Sequence, residues 1–298
     1  QGPSLVVAPA SVIPNWCSEL NRFAPALKIS VLNKSTDRKA LIAEAADNEV
    51  VLSTYGLLVN EEESLTDKAW NVVCLDEAHT IKNRDTKMSK VTMQLQASAR
   101  LILTGTPIQN HLGELWNLFS FINPGLLGSY EQFHTKFIAP IEGSNDKERQ
   151  LQLKRIVQPF MLRRTKAEVI EELPEKMEIT IPVELSSEEM AAYEVIRRKA
   201  KSMLEEENKV SVSTLAEITK LRQAACSIAI NNKKWKGDTT KIQILLDQID
   251  EIKTGQNRML IFSQFTSFLK LVRKKLDERH EPYLYLDGSV SLKQREML

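Results

Sequence analysis

The sequence predicts an α/β fold built on a parallel sheet, on three observations. Val72-Val73-Cys74-Leu75 and Leu101-Ile102-Leu103 are short apolar runs of strand length. Each ends abruptly in a polar cluster, Asp76-Glu77-Ala78-His79 after the first and Thr104-Gly105-Thr106-Pro107 after the second. The two runs stand apart by the length of one crossover helix. Continuous apolar runs bounded in this way suit strands buried on both faces of a parallel sheet. In open sheets of that kind ligands bind outside the carboxyl ends of the strands, so both clusters are expected to line one crevice.

The elements follow in order. Leu5-Val6-Val7-Ala8 reads as a strand. After Pro9-Ala10-Ser11 comes a helix with Trp16, Leu20, Phe23 and Leu27 at helical spacing, Ser11 as its cap and Pro14 in its first turn. A strand at 29–32 and a helix at 38–46 lead to Val50-Val51-Leu52, which closes in Ser53-Thr54-Tyr55-Gly56. A Ser-Thr pair after a strand is either a helix cap or a set of donors for phosphate oxygens. Beyond Asn110 the strand pattern stops. Residues 111–122 read as a helix with Leu112, Leu115, Leu118 and Phe119 on one face, and Pro124-Gly125 breaks it. A charged helix is expected at 147–157, followed by Phe160-Met161-Leu162 running into Arg163-Arg164-Thr165-Lys166.

Residues 178–183 read as an extended crossing segment. Ser186 and Glu189 form a capping box opening a long helix to about residue 207, with Tyr193, Ile196, Ala200 and Met203 as its apolar stripe. A second helix carries Leu215, Ile218, Leu221, Ala225 and Ile228. The basic stretch around Trp235 (Lys233, Lys234, Lys236 and Lys241) reads as a solvated connector or a nucleic-acid contact. A helix at 240–252, a strand Met259-Leu260-Ile261-Phe262 ending in Ser263-Gln264, another helix, and a strand Tyr283-Leu284-Tyr285-Leu286 ending in Asp287-Gly288-Ser289 complete the pattern.

Composition bounds the function. The chain has 298 residues, enough for two domains, and 42% of them are hydrophobic. No apolar run reaches the roughly 20 residues that span a bilayer, and no signal peptide is visible. Cys17, Cys74 and Cys226 stand far apart, which argues for neither disulfides nor zinc. Cys74 reads as a small core residue. Forty basic residues balance 39 acidic ones, so any nucleic-acid site must be a local groove.

A carboxylate pair after a buried strand offers one group to a divalent cation and one to a nucleophilic water. Mg²⁺ takes hard oxygen ligands, keeps several waters and uses one or two carboxylates plus substrate phosphates. That places Asp76 on Mg²⁺, through water, and leaves Glu77 beside it to orient or deprotonate the water that attacks a terminal phosphate. The alternative is a surface Asp-Glu pair at a turn.

Asp-Glu-Ala-His followed by Ile81-Lys82-Asn83, and then Leu103-Thr104-Gly105-Thr106-Pro107-Ile108-Gln109-Asn110, resembles motifs II and III of the Swi/Snf-type ATPases, helicase-superfamily motors of chromatin remodelling and DNA translocation. Gln109-Asn110 is the more specific part, since helicases in general commonly carry Ser-Ala-Thr there. The resemblance implies a RecA-like first lobe at 1–122, a helical protrusion and linker at 123–185, a second helical protrusion at 186–236 and the start of a second RecA-like lobe at 237–298. It implies ATP and Mg²⁺ as cofactors and double-stranded DNA, without sequence preference, as partner, together with a DNA-bound protein to be displaced. Asp76 and Glu77 would hold metal and water. His79, Thr104, Gly105 and Thr106 would couple nucleotide state to lobe closure. DNA contacts would fall at Pro9 and Ser11, Thr54 and Tyr55, Lys82 and Asn83, Gln109 and Asn110, Ser263 and Gln264, and Gly288 and Ser289. Arg163 and Arg164 would belong to the linker between lobes, pairing with acidic groups or phosphates. Lys220-Leu221-Arg222-Gln223 resembles the family's Leu-Arg-Gln segment, but Ser227-Ile228-Ala229 stands where its His-Pro is usual.

No Gly-Lys-Thr or Gly-Lys-Ser occurs in the sequence, so the phosphate-cradling loop is absent. The family places that loop just before the strand that opens this chain, and its arginine finger beyond the last residue. The expectation is an internal segment of a longer protein, with little hydrolysis by itself. Compact insertions and the lack of basic targeting runs favour a bacterial source and a cytoplasmic, nucleoid-associated setting, nuclear in a eukaryote. Three readings stand: a double-stranded DNA translocase, a strand-separating helicase of the same superfamily, and a non-catalytic scaffold with a motor fold.

Overall fold

The computed structural model describes residues 2–106, 111–169, 176–206, 212–232, 234–235, 237–255, 257–290 and 292–295. The chain divides into two compact units, Gln1–Glu171 with Ser291–Leu298, and Glu172–Val290.

In the first unit β1 (Ser4–Val7), β2 (Lys28–Val31), β3 (Glu49–Ser53), β4 (Ala69–Asp76) and β5 (Gln96–Leu103) form one sheet of order β2-β3-β1-β4-β5. Every pairing is parallel. From β1 the chain moves outward through α1 (Ile13–Phe23) to β2. It then reverses and runs through α2 (Arg38–Glu44), α3 (Tyr55–Asn60), α4 (Glu62–Asp67) and α5 (Lys87–Gln94) to β5. Right-handed crossovers put helices on opposite faces when the direction of travel reverses. Accordingly Ile13, Trp16, Cys17 and Leu20 of α1 pack on one face, against Val6, Val50, Leu52 and Cys74. Ile42, Leu58, Leu65 and Val91, from the other four helices, cover the opposite face with Leu5, Val51, Val73 and Leu75. Each such fully buried side chain contributes about 1.5–3 kcal/mol relative to exposure. The reversal falls between β1 and β4, the kind of switch point at which open α/β sheets bind ligands.

Two expectations for this unit are corrected. β5 is not buried on both faces: it is the edge strand, and Leu101 and Leu103 are 53% and 44% exposed while Ile102 packs into the core. The core beneath α1 takes in residues of β1 to β4 and none of β5. Phe23, expected on the packed stripe of α1, stands exposed at the helix end beneath the Arg22 guanidinium, 4.9 Å from the ring centroid.

The helix α6 (Leu112–Ile122) is buried on nearly every side. Its expected single stripe divides between two cores. Leu118 and Phe121 enter the sheet core, whereas Leu115 and Phe119 join a cluster with Phe133, Phe137, Leu153 and Val157. That cluster is completed by α7 (Tyr130–Phe133), a π-helical turn (His134–Ile138), α8 (Ala139–Ser144) and α9 (Lys147–Val157), and a short α10 (Lys166–Val169) follows.

The second unit contains α11 (Ser187–Glu206), α12 (Val212–Cys226), α13 (Ile228–Asn231), α14 (Thr240–Thr254) and α15 (Thr266–Glu278). The capping box is present: Ser186 N–H donates to Glu189 Oε2 at 3.1 Å, and Glu189 N–H donates to Ser186 Oγ at 3.3 Å. The same buried Glu189 accepts from the backbone N–H of Thr240 at 3.1 Å and from its hydroxyl, so one carboxylate ties the starts of α11 and α14 together. In α12 the inward face is rotated from the expected stripe. Thr214, Glu217 and Ala224 are buried and Leu215 is exposed, because the Glu217 carboxylate turns inward to meet Lys199 at 3.5 Å and Lys220 at 2.8 Å.

The two strands expected in this unit are not formed among the described residues. Residues 259–262 and 283–286 run as unpaired segments with alternating exposure: Met259, Ile261 and Tyr283 pack on the α14–α15 core, while Leu260, Phe262 and Leu284 face outward. Apolar patterning selects which side turns inward, but a ladder also needs laterally adjacent strands, and an isolated strand pair is marginal.

Candidate functional site

The site is built where four neighbouring strands end. Ala8 N–H donates to Ser53 O at 3.0 Å, which continues the β1–β3 pairing one residue past β1. On the other side Asp76, the last residue of β4, pairs in register with Leu103. The loops opening at Pro9, Thr54, Glu77 and Thr104 therefore start side by side.

At their centre the chain turns sharply. Glu77 adopts the left-handed conformation (φ 50°, ψ 48°), which costs an L-residue roughly 1–2 kcal/mol. Such strain clusters at functional sites. The turn leads into a 3₁₀ segment, Ala78–Ile81, and is closed by Thr80, whose N–H and hydroxyl donate to Glu77 O at 3.1 and 2.9 Å. Both oxygens of the Asp76 carboxylate are engaged: Glu77 N–H donates to Oδ1 at 2.9 Å, and Trp16 Nε1–H donates to Oδ2 at 2.9 Å. The Glu77 carboxylate stays half exposed, with its Oε2 3.1 Å from His79 Nδ1.

Buried polar groups brace this turn from behind. The Tyr55 hydroxyl donates to Asp76 O at 2.8 Å. Burial, then the Asp76 charge, push that phenol well above the usual tyrosine range, so it remains a neutral donor. The same two causes push the Cys74 thiol up to about 12, in keeping with an inert core thiol. Asn117 of α6 donates from Nδ2 to Ile81 O at 2.6 Å and to Ser89 Oγ at 2.8 Å. Glu114, one turn earlier, pairs with Lys82 at 3.4 Å. Sequence reasoning passed over Glu114 and Asn117. The signal was there: Glu114 and Asn117, three apart in a largely apolar helix, have to find buried partners. Helical spacing puts Trp16 on the apolar stripe of its helix, and nothing in the sequence joins it to Asp76.

The other predicted residues divide into groups. Pro9 is half-buried and Ser11 is exposed; Ser11 does not cap α1, whose N-cap is Val12 with no side-chain bond. Thr54 does cap α3, accepting from Leu57 N–H at 3.3 Å. Three of the expected DNA contacts have polar partners within the chain. Tyr55 is buried and faces inward to Asp76. Lys82 is drawn to the buried Glu114 carboxylate, whose charge requires a partner. Ser289 turns its N–H and hydroxyl onto Asp287 Oδ1 at 2.8 and 2.5 Å. These bonds and one from Tyr285 lower the Asp287 pKa to about 2. Asn83 is exposed and closes a turn with Asp85 N–H at 3.0 Å. Thr104 Oγ1 accepts from Thr106 N–H at 3.2 Å, and Gly105 between them is exposed. In the second unit Ser263 Oγ accepts from Phe265 N–H at 3.1 Å, Gln264 Oε1 accepts from Arg222 at 2.7 Å, and Gly288 is exposed. Arg163 and Arg164 are exposed in the stretch before α10. Gln109 and Asn110, with Pro107 and Ile108, lie outside the described residues, as do Lys233 and Lys236.

Among the described residues no cluster of three or more His, Cys, Asp or Glu could hold a metal ion by itself. The donors at the end of β4 are two carboxylates, hard oxygen ligands with lone pairs left after the bonds just described. That set fits a Mg²⁺ held through water and shared with phosphate oxygens, not a protein cage. No helix among the described residues is long and apolar enough to cross a membrane.

A parallel sheet with a braced carboxylate pair at its switch point defines the class, a RecA-like α/β ATPase core. Within that class the chain belongs to the SNF2-related domain family, which residues 1–230 match. It is 34% identical over 310 residues to Bacillus subtilis YwqA, by name an ATP-dependent helicase/translocase, covering 99% of this chain and 33% of that protein. It is 29% identical over 312 residues to the Saccharomyces cerevisiae ISWI chromatin-remodeling complex ATPase ISW1, covering 99% of this chain and 28% of that one. The Sulfolobus solfataricus SWI2/SNF2 ATPase core, solved in complex with dsDNA, superposes with a TM-score of 0.54 at 33% identity, over 99% of this chain and 64% of that structure. The chain thus spans about a third or less of the length of the Bacillus and Saccharomyces relatives.

Proposed function

We propose that the chain forms part of an ATP-driven motor that moves along double-stranded DNA and remodels or displaces proteins bound to it. The carrying observation is the Asp76-Glu77 turn, strained, braced on three sides and set at the switch point of the sheet. The names of the relatives and the duplex bound to the Sulfolobus core support the same reading. Asp76 would hold Mg²⁺ through water. Glu77 would orient the attacking water and take its proton, with His79 fixing the carboxylate rotamer. When bound, MgATP supplies the phosphoryl group and the cation that neutralises its charge. Thr104, Gly105 and Thr106, on the neighbouring strand end, would respond to the nucleotide state. Pro9, Ser11, Thr54, Tyr55, Lys82, Asn83, Gln109, Asn110, Ser263, Gln264, Gly288 and Ser289 are the candidate DNA contacts, and contacts to the sugar–phosphate backbone carry no sequence preference. Arg163 and Arg164 would serve as linker cations. In this reading the chain comprises a first lobe to residue 122, a helical protrusion and linker to 185, a second helical protrusion to 236 and the start of a second lobe beyond it.

The test is steady-state ATPase activity of the full-length protein, with and without blunt duplex DNA, beside Glu77→Gln. Duplex should stimulate the wild type, and the variant should lose about 10²–10⁴ of the rate, the usual worth of a general base. Activity indifferent to duplex, or unaffected by Glu77→Gln, would overturn the proposal. Separation of a forked duplex would assign strand separation instead.

A further inference from the structure

The residue that reaches the Asp76 carboxylate most directly lies 60 positions away in the sequence. Trp16 Nε1–H donates to Oδ2 while Glu77 N–H occupies Oδ1. One donor on each oxygen fixes the plane of the carboxylate as well as its position. The indole is held in turn: its ring packs in the α1 layer with Val6, Leu52 and Cys74, so the N–H cannot swing away without unpacking that layer. The chemistry of the donor matters. A lysine or arginine at this place would partly neutralise the carboxylate. An indole N–H is a neutral, single donor, which orients the group and leaves its charge and remaining lone pairs for a cation.

We infer that Trp16 is a positioning residue for Mg²⁺–nucleotide binding at Asp76, setting the carboxylate in the orientation that receives the metal's water shell. The inference rests on the ATP-site reading proposed above. A Trp that had merely found an acceptor for its part-buried N–H would brace the fold without affecting metal affinity.

The experiment measures Mn²⁺ binding to full-length protein in the presence of ADP by electron paramagnetic resonance, comparing wild type, Trp16→Phe and Asp76→Asn. Trp16→Phe keeps an aromatic ring in the layer and removes the donor. It should weaken Mn²⁺ about tenfold, the lower end of what loss of an outer-shell partner costs. ATPase activity lost at limiting Mg²⁺ should return at saturating Mg²⁺, with duplex affinity unchanged. Should Trp16→Phe lose its melting transition, Trp16→Leu, which also lacks the N–H, carries the same comparison. Unchanged Mn²⁺ affinity in the Trp16 variant, beside a weakened Asp76→Asn, would overturn the inference and spare the ATP site. Activity that saturating Mg²⁺ does not restore would also overturn it. If Asp76→Asn binds Mn²⁺ as the wild type does, the ATP-site reading falls, and the inference with it.

Discussion

Asn117→Ala isolates the brace behind the Asp76-Glu77 turn. Asn117 is only 2% exposed, and its amide donates to Ile81 O at 2.6 Å and to Ser89 Oγ at 2.8 Å. Alanine removes both donors. Ser89 Oγ, itself buried, loses a donor, and Ile81, with no exposed surface, is left with an orphaned carbonyl. An unsatisfied buried acceptor costs about 1–3 kcal/mol, and the small cavity adds to it. The total is about 3 kcal/mol, which at 1.4 kcal/mol per decade is roughly a hundredfold in a local opening equilibrium. Hydrogen–deuterium exchange of the full-length protein reads this directly. Peptides covering residues 78–94 should exchange about a hundredfold faster in the variant, while those covering β2 keep their rates. Ser120→Ala, which removes only a hydroxyl bonded to Trp116 O one turn back in the same helix, is the control and should leave the pattern unchanged. Exchange at 78–94 within about threefold of wild type would refute the assignment of Asn117 as the tether, because that corresponds to well under 1 kcal/mol.

Two further outcomes concern the buried carboxylates Glu114 and Glu189. Lys82→Met should loosen α6 by about 1–2 kcal/mol, a figure reduced for the partial exposure of the lysine, because the buried Glu114 loses a partner. Because Lys82 is also a proposed DNA contact, the salt dependence of duplex affinity should be shallower by about one in the variant; an unchanged slope would remove it from the contacts. For Glu189, burial raises the pKa, but hydrogen bonds from Thr240 and Ser186 outweigh it and hold the group below its ordinary 4.5. The lowered folded value makes the stabilisation fully present above that pH and progressively lost as pH falls through the folded pKa. Thermal melting of the α11–α14 region, followed from neutral pH to about pH 3, should show this acid sensitivity in wild type and less of it in Glu189→Gln; equal acid sensitivity in both would remove Glu189 from the account.

Much was legible without coordinates, because it depends on local pattern. The apolar runs at Leu5, Val50, Val72 and Leu101 are strands, and their polar ends do lie at one edge of a parallel sheet. Helix limits at 147–157 and the capping box at Ser186 follow from charge, capping chemistry and 3.6-residue periodicity. Motif order in Asp76–Asn83 and Leu103–Asn110 was enough to point to the family that residues 1–230 match.

What only the tertiary structure decided are relations between side chains distant in sequence. Pattern shows that Leu101 is apolar but not that β5 is an edge, since edge status depends on which strands and helices stand beside it. Tyr55, Lys82 and Ser289 carry donors that suit a phosphate, and the fold directs them to Asp76, Glu114 and Asp287. The Met259 and Tyr283 segments have the composition of strands, yet a strand is defined by its neighbours' hydrogen bonds. The bond from Trp16 to Asp76 belongs to the same category. Periodicity places Trp16 on the inner face of its helix, but only the crossover that returns β4 to lie beside β1 brings the indole to the carboxylate.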